Sequence, residues 1–118
     1  MKSAMRYAAI SLCAAMVAGC APVSQGEWNT AVTTMQGSPA WRRQAVIDCT
    51  ASARKKPQSA RVYMSKVMNV TPPDRTPRVF CERMIRAVAN GRLTYAEAMD
   101  IWAKRGDRGE YIKIIQGR

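Results

Sequence analysis

Cysteine is the residue type with the most chemistry to offer in this 118-residue chain. The four cysteines are Cys13, Cys20, Cys49 and Cys81, and no two of them form the CxxC pair of many redox and zinc sites. The chain has no histidine, so it lacks the usual general base and the commonest metal ligand. These spacings favour a disulfide or the modification of single thiols over metal binding or thiol catalysis.

The other groups that support catalysis in enzymes are scattered along the chain. Its eight carboxylates form no paired acid and base pattern, and neither of the phosphate-binding patterns GxGxxG and GxxxxGK[ST] occurs. Met64, Met68, Met84 and Met99 fall at apolar positions of predicted helices, which favours core packing over copper ligation. We therefore expect a protein that is not an enzyme and that has neither a cofactor nor a metal site.

Cys20 ends a stretch that suggests modification by lipid. Lys2 and Arg6 give a positive start, residues 7–18 carry no charge, and residues 17–20 read VAGC. An uncharged run of this length is typical of a secretory signal and is shorter than the roughly 20 apolar residues that span a bilayer. The stretch resembles the lipobox signal peptide of bacterial lipoproteins.

The resemblance implies that residues 1–19 are removed and that the sulfur of Cys20 carries diacylglycerol at the new N-terminus. The sorting rule of Gram-negative lipoproteins, applied to Ala21, implies the outer membrane on its periplasmic side, where the organism has one. An ordinary cleaved signal peptide has the same charged and uncharged regions, so secretion without lipid is the alternative. Both routes lead to a compartment that permits disulfides.

Cys49 and Cys81 remain once Cys13 leaves with the signal peptide and Cys20 takes the lipid. Each of the two lies on the apolar face of its own predicted helix. Leftover cysteines in small exported domains usually pair with each other. We expect a Cys49–Cys81 disulfide inside the core, and two free buried thiols are the alternative.

Helix signals recur from residue 38 onward. Ser38-Pro39 and Thr76-Pro77 each combine an N-cap residue with proline at the first helical position. Apolar residues at helical spacing define four faces, which are Ala45, Val46, Cys49 and Ala53; Tyr63, Met64, Val67 and Met68; Phe80, Cys81, Met84, Ile85 and Val88; and Tyr95, Ala98, Met99 and Trp102. The pattern predicts an all-α bundle of about four helices held by one disulfide.

Two segments carry weaker patterns. Residues 20–37 are polar with a single charge, so we expect a lipid-anchored tether with at most a turn or two of helix near Trp28. Residues 110–118 contain one tyrosine and three isoleucines and allow either a last helical turn or an edge strand. The chain thus divides into a signal peptide at 1–19, a tether at 20–37 and a helical domain at 38–118.

Positive charge is the strongest indication of a binding partner. Without the signal peptide, the chain has 17 basic and 8 acidic residues, a net charge of +9. Such an excess favours polyanions, although a solvated basic surface without a specific ligand is the alternative. The candidate anion-binding residues form two groups in the sequence, which are Arg54, Lys55, Lys56, Arg61 and Lys66, and Arg75, Arg78, Arg83, Arg86 and Arg92.

These features together predict a non-enzymatic envelope lipoprotein whose basic helical module binds an anionic envelope component. The candidate partners are anionic lipid, lipopolysaccharide, a cell-wall polymer or an envelope protein. Nucleic acid is disfavoured because few aromatic side chains are expected on the surface to stack on bases. The alternative is a structural or assembly subunit of a larger envelope complex, in which the arginines pair with an acidic partner.

Overall fold

Residues 23–118 form a helical bundle in a computed structural model that describes this part of the chain. The predicted signal peptide and Cys20 lie outside the described residues. The helices are α1 (Gln25–Gly37), α2 (Pro39–Ala53), α3 (Gln58–Met68), α4 (Thr76–Ala89), α5 (Tyr95–Trp102) and α6 (Gly109–Ile115), with a 3-10 turn at Pro73–Arg75. The described residues contain no strand, so the all-α prediction is confirmed. None of these six helices has both the length and the apolar character that crossing a bilayer requires.

Helix α4 is the element around which the other helices pack. It contacts α1, α2, α3 and α6. The buried apolar side chains form two clusters, the first with Met35, Ala87, Val88, Ala89, Leu93 and Ile114, and the second with Met68, Val70 and Ile115. Met84 of α4 packs against both clusters and joins them. The amphipathic stripe that the sequence predicts for α4 is therefore the centre of the core.

A disulfide joins α2 to α4. It links Cys49 to Cys81, whose Cα atoms lie 5.8 Å apart. Cys81 is fully buried, as its place on the apolar stripe of α4 predicts. The predicted Cys49–Cys81 link is confirmed, and it fixes α2 alongside α4.

Helix α1 differs from the tether expected for residues 20–37. It begins with a capping box, in which the Ser24 hydroxyl accepts from the N–H of Glu27 at 3.2 Å and the Glu27 carboxylate accepts from the N–H of Ser24 at 3.1 Å. Its three threonines donate their hydroxyls to carbonyl oxygens four residues earlier, so these polar side chains are satisfied within the helix. Thirteen residues of the expected tether are therefore helical.

Helix α1 also belongs to the core. Its apolar stripe, at positions i, i+3, i+4 and i+7, consists of Trp28, Ala31, Val32 and Met35. The ring of Trp28 meets the ring of Tyr95 edge to face with centroids 6.1 Å apart, and the Tyr95 hydroxyl donates to the carbonyl of Val23 at 2.9 Å. These contacts fasten α1 to the start of α5.

Two aromatic side chains predicted to be buried are exposed. Tyr63 of α3 is 66% exposed and Trp102 of α5 is 70% exposed. Helix α5 packs on the core through Ala98 and Ile101. This buried face is rotated by about one residue from the predicted face, which includes Met99 and Trp102. Trp102 is the last residue of α5, so no following helical turn extends that packing.

The C-terminal residues form α6, which resolves the alternatives for residues 110–118 in favour of a helix. Ile114 and Ile115 are buried, with 3% and 0% of their surface exposed. The side-chain amide of Gln116 donates to the carbonyl of Val67 at 2.9 Å. Helix α6 thereby closes the second core cluster against α3 and α4.

Candidate anion-binding site

A groove lined by four arginines runs between α2 and α4. Its volume is about 560 Å³. It is lined by Pro39, Arg42, Arg43, Val46, Ile47, Thr50, Arg54, Arg78 and Glu82. Four guanidinium groups and one carboxylate therefore surround an apolar strip formed by Val46 and Ile47. We call this site the arginine groove.

Helix α2 supplies most of the arginine groove because its lining residues share one face. Positions 42, 43, 46, 47, 50 and 54 follow the helical spacing i, i+1, i+4, i+5, i+8 and i+12. Ser38 fixes the start of the helix, since its hydroxyl accepts from the N–H of Trp41 at 3.2 Å and Pro39 follows at the first helical position. The Cys49–Cys81 bond then holds α2 next to α4.

Helix α4 supplies the opposite wall through Arg78 and Glu82. The Nε of Arg78 donates to the carboxylate of Glu82 at 2.8 Å. The sequence also allows an i,i+4 pair between Glu82 and Arg86, but the carboxylate turns to Arg78 instead. Both side chains of the observed pair are well exposed, so the pair contributes at most about 1 kcal/mol and Arg78 can turn to another anion.

Arg42 extends the groove toward the end of α1. Its guanidinium donates to the carbonyl oxygens of Met35 and Gln36, the latter at 3.5 Å. Arg42 also lines a neighbouring depression of about 430 Å³ that includes Arg86 and Asn90. Arg86 therefore lies beside the arginine groove and is joined to it through Arg42.

Arg43, Arg54 and Arg86 keep their guanidinium donors available. Within residues 23–118, none of these three side chains makes an ion pair or a hydrogen bond to another residue. A guanidinium offers five N–H donors in a planar fork that fits phosphate and carboxylate oxygens two at a time. The site can therefore hold an anionic group by several charge-assisted hydrogen bonds.

Arg83 lies away from this surface although the sequence places it among the candidates. Its Nη1 donates to the carbonyl of Ile115 at 2.5 Å and to the carbonyl of Met68 at 3.4 Å. These carbonyls belong to the C-terminal ends of α6 and α3, where the helix dipole favours a cation. We therefore leave Arg83 out of the arginine groove and assign it to the packing of three helices.

The remaining candidate cations lie on separate parts of the surface. Arg92 donates to Glu110 at 2.7 Å and Arg75 to the carbonyl of Thr71 at 2.9 Å, both outside the groove, and Arg61 donates to the backbone carbonyl of the groove residue Arg54 at 3.1 Å. Lys55, Lys56 and Lys66 are exposed. The two groups predicted from the sequence are thus not two separate patches, because Arg54 from one group and Arg78 from the other line the same groove.

Arg42 and Arg43 line the groove, although they are not among the candidate residues predicted from the sequence. The signal for them is present one turn before Val46 and Ile47, because these four positions fall on one side of α2. Ile47 is 60% exposed, although it is a large apolar residue in a well-formed helix. Ile47 lies off the apolar face predicted for this helix, and two adjacent arginines one turn before it would have marked a second face as a binding surface.

Comparison with protein-family models, with curated proteins and with solved structures finds no match to the chain. The groove residues themselves indicate what the site can do. They combine several guanidinium donors with an apolar strip, which suits an anion attached to a non-polar body. Within residues 23–118, no group of three or more His, Cys, Asp or Glu side chains is placed to hold a metal ion.

Proposed function

We propose that the protein is a non-enzymatic, lipid-anchored bacterial envelope protein whose arginine groove binds a phosphate-bearing envelope component. The observation that supports this most directly is the convergence of Arg42, Arg43, Arg54 and Arg78 on one groove. Arginine forks bind phosphate oxygens in pairs, and the apolar strip between them offers contact to acyl chains or sugar faces. Lipopolysaccharide, anionic phospholipid and phosphorylated wall polymer all present this chemistry.

The proposed anchor rests on the lipobox at residues 17–20. Because Ser24 already caps α1, only residues 21–23 separate Cys20 from the start of the fold. The four residue steps from Cys20 to Ser24 reach at most about 14 Å. A lipid on Cys20 would therefore hold the domain against the membrane, within reach of lipid phosphates.

Binding through the groove is expected to be weak for the free domain and stronger for the anchored one. A cation near an anionic surface contributes about 1 kcal/mol, so four acting together correspond to roughly millimolar affinity. Anchoring raises the effective concentration and brings the apparent affinity into roughly the micromolar range. Salt should weaken the interaction, since exposed charges are screened over about 10 Å at 0.1 M.

The groove is tested with the chain from residue 21 onward, prepared without lipid. Its binding is measured against lipopolysaccharide, anionic phospholipid vesicles and wall-polymer fragments at two salt concentrations. Replacing both Arg43 and Arg54 with Gln should weaken binding at low salt by about tenfold or more, because two cations are lost from the groove.

The matched control is Lys66→Gln with Lys113→Gln, which removes the same charge from exposed positions outside the groove. This variant should bind nearly as well as the wild type. An equal loss in both double variants would mean that net charge alone drives binding, and the groove proposal would be wrong.

The anchor is tested separately in cells. Mass spectrometry should find diacylglycerol on Cys20, and Cys20→Ala should release the protein from membranes. If the variant still sediments with membranes after a high-salt wash, the lipid is not what holds the protein there.

A second candidate function is that of a subunit in a larger envelope assembly. Trp41 is 48% exposed and Ile47 is 60% exposed on α2, the helix that carries most groove arginines. Exposed aromatic and apolar residues beside arginine are typical of protein interfaces. Crosslinking in native membranes would favour this candidate if a stoichiometric partner protein is recovered with crosslinks on α2.

A further inference from the structure

A second concave site lies at the junction of α2, α3, α4 and α6, and it shares no lining residue with the arginine groove. Its volume is about 260 Å³, just below the range of about 300–1,000 Å³ that is common for small-molecule pockets. Its apolar wall consists of Ala53, Ala60, Met64, Pro77 and Phe80. A wall of this kind suits a narrow hydrocarbon ligand. We call this site the apolar cavity.

Two cations stand among the residues that line the apolar cavity. Lys56 is exposed, and Arg61 is half-buried with one N–H donated to the carbonyl of Arg54 at 3.1 Å. No carboxylate belongs to the lining of this cavity. An anionic group at the solvent side would therefore be attracted and not repelled.

Thr76 adds a polar group that the fold leaves unused. The 3-10 turn at Pro73–Arg75 makes Thr76 the first residue of α4, so it does not cap the helix as the sequence predicts. Thr76 is only 3% exposed, and its Oγ1 has no hydrogen-bond partner among the described residues. A buried hydroxyl without a partner is uncommon in native proteins, and Thr76 is one of the residues that line the apolar cavity.

Tyr111 of α6 also lines the apolar cavity. Burial raises the pKa of Tyr111 above its usual value of about 10, and the nearby charge of Arg108 opposes this shift. The phenol is therefore protonated at neutral pH and able to donate. Apolar walls with a few polar groups are typical of sites that orient a small ligand.

We propose that the apolar cavity binds a single-chain amphiphile that has an anionic head group. The hydrocarbon chain packs against Met64 and Phe80, and the carboxylate or phosphate of the head group pairs with Lys56 and Arg61. The proposal does not depend on the arginine groove, because the two sites are lined by different residues.

The test uses the purified chain from residue 21 onward, freed of bound lipid, and titration calorimetry with four twelve-carbon probes below their aggregation concentrations. Dodecanoate or dodecyl phosphate should bind about tenfold more tightly than dodecanol, since two ionic contacts are lost with the neutral head group. Dodecyltrimethylammonium should bind more weakly still. The ratio between the two anions shows whether carboxylate or phosphate is preferred. Equal affinity for dodecanol and both anions would overturn the proposal.

Variants locate the binding within the molecule. Ala60→Leu and Ala53→Leu fill the cavity from two different helices, so each should reduce dodecanoate affinity about tenfold or more while the melting temperature is kept. Lys56→Gln should reduce it about two- to fivefold, and Lys55→Gln, its exposed neighbour outside the cavity lining, should not. Arg43→Gln in the groove should have no effect. Dodecanoate affinity that survives in both folded leucine variants would overturn the proposal.

Discussion

Helix α4 carries arginines on two sides, and the two sides use the same side chain differently. Arg83 faces inward and donates to the carbonyls of Met68 and Ile115, so its charge is engaged at the ends of two other helices. Arg78 and Arg86 face outward, at the arginine groove and the depression beside it. The net charge of the chain therefore overstates the number of cations that a ligand can reach. The arginine groove is defined by the guanidinium N–H groups that remain available for hydrogen bonds, and not by the number of charged side chains.

Removing the disulfide should have the largest effect, because it ties α2 covalently to α4 and α2 supplies most of the arginine groove. The bond closes a loop over a sequence separation of 32 residues, which contributes about 3–4 kcal/mol to stability. This is a large share of the roughly 5–15 kcal/mol typical of a small domain. Denaturant unfolding of Cys49→Ser with Cys81→Ser should show this loss, together with weaker binding of lipopolysaccharide.

The control for this prediction is reduction. The wild type in reducing buffer should unfold like the double serine variant, and reductant should not change that variant further. A double variant as stable as the oxidised wild type would show that α2 is held against α4 by packing alone.

Arg83→Gln should have the second largest effect and should separate the inner side of α4 from the outer side. Charge-assisted hydrogen bonds to buried carbonyls contribute about 1.5–3 kcal/mol, so unfolding should become easier by about that amount. Groove binding should be unchanged in the fraction that remains folded. Arg86→Gln is the matched control on the same helix, with an expected change within about 0.5 kcal/mol. Equal destabilisation by the two changes would show that the inner and outer arginines of α4 contribute equally to stability.

Arg78→Gln should have a small effect on stability, at most about 1 kcal/mol, because its pair with Glu82 is exposed. Binding to lipopolysaccharide should nevertheless weaken. Glu82→Gln is the complementary change, since it removes the one carboxylate of the groove and should strengthen binding. Thermal melting and low-salt binding measurements on both variants check this, and affinities that change in the same direction would contradict it.

The helices that the sequence predicts well are those whose local pattern agrees with their packing. Cys81, Met84 and Val88 repeat at helical spacing on α4, and all three face the core. Helix α1 is harder to predict because it contains several threonines, which are poor helix formers. Its helical conformation depends on the capping box at Ser24 and on docking of Trp28, and the docking contacts are tertiary.

The arginine groove could be predicted only in part. Periodicity assigns residues to faces of single helices, but it does not say which faces meet. Arg54 and Arg78 are 24 positions apart in the sequence and line one groove only because α2 packs on α4. The Cys49–Cys81 pair is the one feature of the sequence that implies this packing, and combining it with the helical faces would have joined the two arginines.

The burial of Ile115 means that the core can be completed only late in the synthesis of the chain. Met68 and Val70 share their cluster with Ile115, which lies more than forty positions further along the sequence. A chain that emerges N-terminus first from a ribosome or a translocation channel cannot complete this cluster before α6 has emerged. Its earlier helices would meanwhile expose apolar surface, which is the state that chaperones bind.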